Sequence, residues 1–200
     1  MKGGILQMND RSTSCALSEQ ELALEGQLRE CYGRVVYSHK THEKCSDILL
    51  SKLSLIKIWQ IILSVVTTGG FATEIFDVWN LGVFVGGVAS TILLVLNAYT
   101  KDYDLGELAQ KHKHAANEIW LIREKYLSLL TDLKSRSIPL QQVKEERDRL
   151  MDDLHSVYAG SPSTNFKAYT KAQDALQNKE DMTFSDAEID AFLPSELKRG

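Results

Sequence analysis

Hydrophobic and polar positions separate along this chain into one dense apolar block and two charged arms. Between Ile58 and Thr100 most residues are apolar or small, with a short acidic break near Glu74 and Asp77. The second half of the block, Val78 to Thr100, runs 23 residues between Asp77 and Lys101 with no ionisable group except Tyr99. As a helix it covers a hydrocarbon core of about 30 Å with some tilt. The first half, Ile58 to Thr73, has 16 uncharged residues between Lys57 and Glu74. That is shorter than the usual span of about 17 to 25 residues. Leu53, Leu55 and Ile56 extend it on one side while Lys57 snorkels, and Ile75 and Phe76 extend it on the other. The pattern predicts an all-α membrane protein with a two-span hairpin, the first span over 53–76 and the second over 78–100. The competing reading of the weaker segment is a buried or interfacial helix lying against one true span.

Charge orients the hairpin. Lys40, Lys44, Lys52 and Lys57 precede the first span, and Lys101, Lys111 and Lys113 follow the second. The connection from Glu74 to Asn80 carries only negative charges. The positive-inside rule therefore puts both arms in the cytoplasm and the acidic tip outside. Trp59 and Trp79 then sit at opposite interfaces, with Tyr99 at the cytoplasmic end of the second span, as aromatic belts require.

Small residues recur every four positions in both spans: Gly82, Gly86 and Ser90 in the second, Ser64, Thr68 and Ala72 in the first. Such ridges let helix backbones approach closely, within one hairpin or between copies. Glycine is also common in membrane helices without any such role. Gln60, Ser64 and Thr67 form a weakly polar stripe along the first span, with Thr68 beside it. In a homo-oligomer that stripe is a candidate pore lining, because polar groups at membrane depth seek a cavity or a partner. The competing readings are hydroxyls bonded to their own helix and Gln60 packed against the second span.

The arms read as helices. Ser18 with Glu21 makes a capping box before Leu22 and Leu24. No proline interrupts the run from there to the membrane, so a helix is predicted over 17–52, weakened at Gly26 and Gly33; whether it runs straight into the first span is left open by the pattern. After the second span, Tyr103, Leu108, Ala115, Ile119, Ile122, Tyr126, Leu129 and Leu133 approximate one apolar face at three-to-four spacing. Pro139 restarts a helix that ends near Tyr158, and the pair over 101–158 is predicted to pack on the N-terminal helix as a cytoplasmic bundle. The tail over 159–193 has short helices, the last opened by a second capping box, Ser185 with Glu188. Residues 1–16 are expected to be disordered, 17–193 to form one domain, and 194–200 to be the C-terminal end.

Composition narrows the function. A net charge of -4 across 200 residues gives no basic stripe for nucleic acid. The opening residues lack the apolar core of a signal peptide. Cys15, Cys31 and Cys45 are odd in number and do not form a close-spaced framework; in a cytoplasmic arm they are expected to be free thiols. Phosphate loops, HExxH pairs and nucleophile elbows are missing, so no catalytic residue and no cofactor is expected. His39, His42 and Cys45, with Glu43 beside them and His112 and His114 on the other arm, are the one cluster with metal-ligand chemistry. Cys45 drifts off the His39 face, and nothing in the spacing demands that the other arm fold back, so no metal is expected.

The order of features resembles the SLATT family: a capped helix, two close spans with a tiny loop, then a helix bearing Trp120-Leu-Ile-Arg123-Glu-Lys-Tyr126-Leu-Ser-Leu-Leu-Thr-Asp132. SLATT proteins are bacterial two-span effector domains found beside nucleotide-synthesising and nucleotide-sensing proteins in conflict systems. The tail, Phe184-Ser-Asp-Ala-Glu-Ile-Asp-Ala-Phe-Leu-Pro194, is similar to that of a branch associated with reverse transcriptases. The resemblance covers roughly Leu17 to Leu193 and rests on layout more than on any residue set. It implies a multi-pass protein of the bacterial inner membrane, partnered by the bilayer, by copies of itself and by a cytoplasmic sensor, nucleotide-signalling protein or reverse transcriptase. It implies an antiphage effector that forms a pore or disrupts the membrane when activated. The alternative is a non-conducting anchor that recruits a cytoplasmic partner through the bundle or the 185–193 helix.

Overall fold

The computed structural model describes residues 18–75, 81–179, 184–194 and 198. Residues 1–17, with Cys15, and the hairpin tip at 76–80, with Asp77 and Trp79, lie outside the described residues.

Six helices account for nearly all of the described chain: α1 Glu19–Ile75, α2 Gly82–Asp102, α3 Leu105–Ser135, α4 Leu140–Gly160, α5 Phe166–Asn178 and α6 Asp186–Phe192. Each boundary has a local cause. Helix α1 opens on a reciprocal capping box, in which the Ser18 N–H donates to Glu21 Oε2 at 2.6 Å and the Glu21 N–H donates to Ser18 Oγ at 3.3 Å. With no proline to stop it, α1 continues for 57 residues, a rod of about 85 Å. The break between α2 and α3 falls at Tyr103 and Asp104, where Asp104 Oδ1 accepts from the Glu107 N–H at 2.8 Å. Helix α3 ends where Arg136 takes the left-handed conformation, φ 53°.

The tertiary plan follows from α1. Helices α2 and α3 run back along it in succession: Tyr99 of α2 meets Lys52, His112 of α3 meets His42, and Arg136 reaches Glu21 at the far end. Helix α4 returns against α3, with Lys125–Asp153 at 3.4 Å, and touches α1 where Tyr158 Oη donates to Ser38 Oγ at 2.6 Å. Helix α5 lies across α1 on an alanine face, Ala168, Ala172 and Ala175. The small side chains bring its backbone close.

The core fills only the arm end of this assembly. Leu24, Leu28 and Val35 of α1, Ile119, Ile122, Tyr126, Leu129 and Leu133 of α3, and Val143 and Leu150 of α4 form it. Tyr126 is fully buried, and its hydroxyl has no oxygen or nitrogen partner among the described residues, only the weakly bonding Cys31 thiol beside it. Burial pushes that hydroxyl up to about 12. Because an unmatched buried polar group costs about 1 kcal/mol or more, Tyr126→Phe should stabilise the protein. A rise of about 2–4 °C in the melting temperature of detergent-purified protein is expected, and a fall would mean that the hydroxyl has a partner.

The hairpin end is built differently. The most apolar windows of its two arms are only 6% and 17% buried, and both are long and apolar enough to cross a membrane. Ile61, Val65, Phe84 and Leu94 each expose about two-thirds of their surface. A continuous apolar surface of this extent is not stable against water.

Candidate functional site

The seam of the hairpin is a backbone-to-backbone contact. A Cβ placed on Gly70 would stand 2.6 Å from the Gly82 carbonyl oxygen and 3.0 Å from Gly86 Cα. One on Gly82 would strike the Thr73 hydroxyl and stand 2.7 Å from the Gly70 oxygen, and one on Gly86 would lie 3.2 Å from the Thr67 oxygen. Only glycine fits this crossing. Thr73 Oγ1 donates to the Gly70 oxygen at 2.7 Å and holds the local turn of α1.

Of the six small residues at four-residue spacing, the structure brings Gly82 and Gly86 into this seam and leaves Ser90, Ser64 and Thr68 exposed, with Ala72 half-buried. Ala89 takes the inward place beyond Gly86. The reason is helical drift: four residues advance about 40° past a full turn, so alternating steps of four and three keep one face where repeated fours leave it. The glycine that sequence reasoning missed is Gly70, and its signal was the Gly69-Gly70 pair in the first apolar run.

Above the seam the arms are tied by polar side chains. Gln60 Nε2 donates to Asn97 Oδ1 at 2.8 Å and lies 3.4 Å from Thr100 Oγ1. Lys52 Nζ donates to Tyr99 Oη at 2.8 Å. Asn97 was also missed, although an amide inside a 23-residue apolar run is itself a signal. The proposed stripe of Gln60, Ser64 and Thr67 therefore divides. Gln60 faces α2, Thr67 Oγ1 is buried without a partner among the described residues, and Ser64 stays exposed. Ser64 and Gln60 reunite with Asn97 and Lys57 along one flank, around an open groove of about 330 Å³.

Toward the bundle lies a buried histidine cluster. The folding-back of α3 sets His112 Nδ1 3.1 Å from His42 Nδ1, so one ring donates its N–H to the other's lone pair. His39 Nε2 stands 3.9 Å from Glu43 Oε1, and the same carboxylate takes Lys40 at 3.2 Å and Lys113 at 3.3 Å. All three rings are less than a tenth exposed. Burial drives His42 down to about 4, with His112 and His39 adding to the shift, and burial also lowers His39 and His112. These rings are neutral at pH 7. Cys45 is buried as well, where its sulfur accepts from Asn165 Nδ2 at 3.8 Å and burial raises its thiol. His114 is exposed on the opposite side of α3. Among the described residues no three His, Cys, Asp or Glu side chains converge as metal ligands.

Two apolar arms that cross at glycines and are set on a helical bundle make an architecture with a counterpart among known families. Residues 24–188 match SMODS and SLOG-associating 2TM effector domain family 4. The chain belongs to the SLATT family. The description gives the SLATT domain two transmembrane segments and an effector role beside SMODS and SLOG proteins, and it names no catalytic activity. No curated protein and no solved structure matches the chain.

Proposed function

We propose that this SLATT chain is the membrane effector of a bacterial conflict system. Its hairpin crosses the inner membrane twice with both termini in the cytoplasm, assembles with further copies, and opens or disrupts the bilayer when a cytoplasmic partner signals. The observation that carries this reading is the nearly complete exposure of the hairpin's apolar windows. Lipid is the solvent that suits such a surface. The lysines at the bundle end of both arms and the acidic residues of the tip favour the stated orientation.

Assembly is assigned to the polar flank. Gly82 and Gly86 are spent within the chain, so another face must meet the next copy. Ser64 and Asn97 supply polar groups at membrane depth on the groove that Gln60 also lines. Several copies arranged with this flank inward would enclose a hydrated path that one hairpin cannot. The test is dye and ion efflux from liposomes at controlled protein density. Efflux should rise steeply with density, and Ser64→Leu with Asn97→Leu should lower it at least tenfold without preventing insertion. Full efflux from that variant would remove the flank from the path.

A second reading has its own observation. Helix α6 is preformed by a complete capping box yet has no buried residue, and Phe184 and Phe192 are 67% and 82% exposed. That favours an anchor that recruits a protein through its tail. A reconstituted chain that stays silent at every density, even with its genomic neighbours added, would favour the anchor.

A further inference from the structure

Beside the entry of α1 into its apolar run, α1 and α5 enclose a groove of about 630 Å³. Five lysines, Lys44, Lys52, Lys167, Lys171 and Lys179, line it against two aspartates, Asp47 and Asp174. The aspartates are engaged locally, with Lys44–Asp47 at 3.9 Å and Lys179–Asp174 at 2.7 Å. Among the described residues Lys167 and Lys171 meet no carboxylate. They sit one helical turn apart on the exposed side of α5. In a chain of net charge -4 this is a local reversal of sign.

The groove is not purely basic. Ile48, Leu55 and Ala175 line it with the lysines. Along α1 the positions at three-to-four spacing run Lys44, Ile48, Lys52, Leu55, Trp59 and Ile62, so one face passes from ammonium groups to exposed apolar side chains. A ligand fitting this face carries a negative group at one end and hydrocarbon at the other. Free phosphate satisfies only the first requirement.

We propose that the lysine groove holds the phosphate headgroup of an anionic phospholipid from the cytoplasmic leaflet, with its acyl chains lying along Leu55, Trp59 and Ile62. The inference rests on the membrane reading above. Lys52 gives the bound lipid a route to the hairpin, because the same ammonium group that faces the groove holds Tyr99 of α2. A phosphate that drew Lys52 away would loosen the tie between the two arms.

The test uses the full chain in detergent, titrated with equal amounts of phosphatidylglycerol and phosphatidylcholine and read by native mass spectrometry. Each lysine near an anionic surface is worth about a fivefold change in affinity. Wild type should retain phosphatidylglycerol over phosphatidylcholine by roughly tenfold or more. K167Q/K171Q should lose most of that preference, while K134Q/K144Q, outside the groove, should keep it. Both pairs are expected to fold, which circular dichroism would check. An equal preference in K167Q/K171Q, or none in wild type, overturns the proposal. Complete displacement by inorganic phosphate would assign the groove to a free anion and overturn it too. So would a preference that emerges only on deletion of 184–194, which would give the groove to the acidic tail helix. Flotation of wild type with phosphatidylcholine vesicles, resistant to alkaline carbonate, separates the two failures. Flotation without lipid preference sinks this inference alone, and no flotation sinks the membrane reading.

Discussion

Gly82→Leu should abolish vesicle efflux and leave the two apolar arms splayed. A side chain at this position meets the Thr73 hydroxyl and the Gly70 carbonyl oxygen, and the second of these is backbone that cannot rotate away. Relief requires the helices to separate. Separation lengthens the Lys52–Tyr99 and Gln60–Asn97 contacts and strips Gly86 of its neighbours. Overpacking of this kind costs about 1–3 kcal/mol and more where backbone must move. The protein carries its own control. Gly87, five residues on, has nothing within 4 Å of its Cβ position, so Gly87→Leu should insert and, on the proposed function, leave efflux at the wild-type level. Efflux at matched density, with a disulfide trap between cysteines placed at Thr67 and Val85, reads both effects. Gly82→Leu protein that conducts and cross-links like wild type would show that the glycine crossing is dispensable.

Acidification from pH 6.5 to pH 4 should destabilise the bundle end, with His42 supplying the largest part. Its folded value of about 4 lies below the ordinary 6.5. Between those limits the unfolded chain binds a proton that the folded chain refuses. Stability is therefore complete above pH 6.5 and is lost progressively as the pH falls toward 4. For His42 alone the loss is on the order of 3 kcal/mol. His39 and His112 are lowered too and act in the same direction. From α1 the cluster faces Glu43 and Lys40, and from α3 it faces Lys113 and Arg123. Burial opposes the charged form of Glu43, but Lys40 and Lys113 hold its carboxyl below the ordinary 4.5, so its contribution is lost only as the pH falls below that value. Melting temperatures across this range should fall steeply in wild type and much less in His42→Leu/His112→Leu. Equal slopes would place the acid sensitivity elsewhere.

The capping boxes at Ser18 and Ser185 could be read directly, because each is written within four consecutive residues and both form as written. The heptad-like run from Ala115 to Leu133 was equally legible, since burial on one face of one helix needs only local periodicity. His112 was not. Its meeting with His42 joins positions 70 residues apart, and no spacing within either arm implies it. Once α1 is a single unbroken rod, α2 and α3 have one long surface to run back along, and that alone brings the two rings together.

The small-residue ridges show the same boundary at finer scale. Periodicity of four runs through Gly82, Gly86 and Ser90 alike, whereas in the structure Gly82 and Gly86 lie against α1 with Gly70, Ser90 is exposed, and Asn97 meets Gln60. Helical drift of about 40° per four residues changes which positions face inward, and the partner helix decides where the inward face lies. By itself the sequence determined the all-α class, the two apolar runs and the capping boxes at Ser18 and Ser185, because hydrophobicity and capping act between neighbours in the chain. Which glycines touch, which amide finds which, and which histidines are shut away from water were decided by the tertiary structure, because each depends on the register between helices distant in sequence.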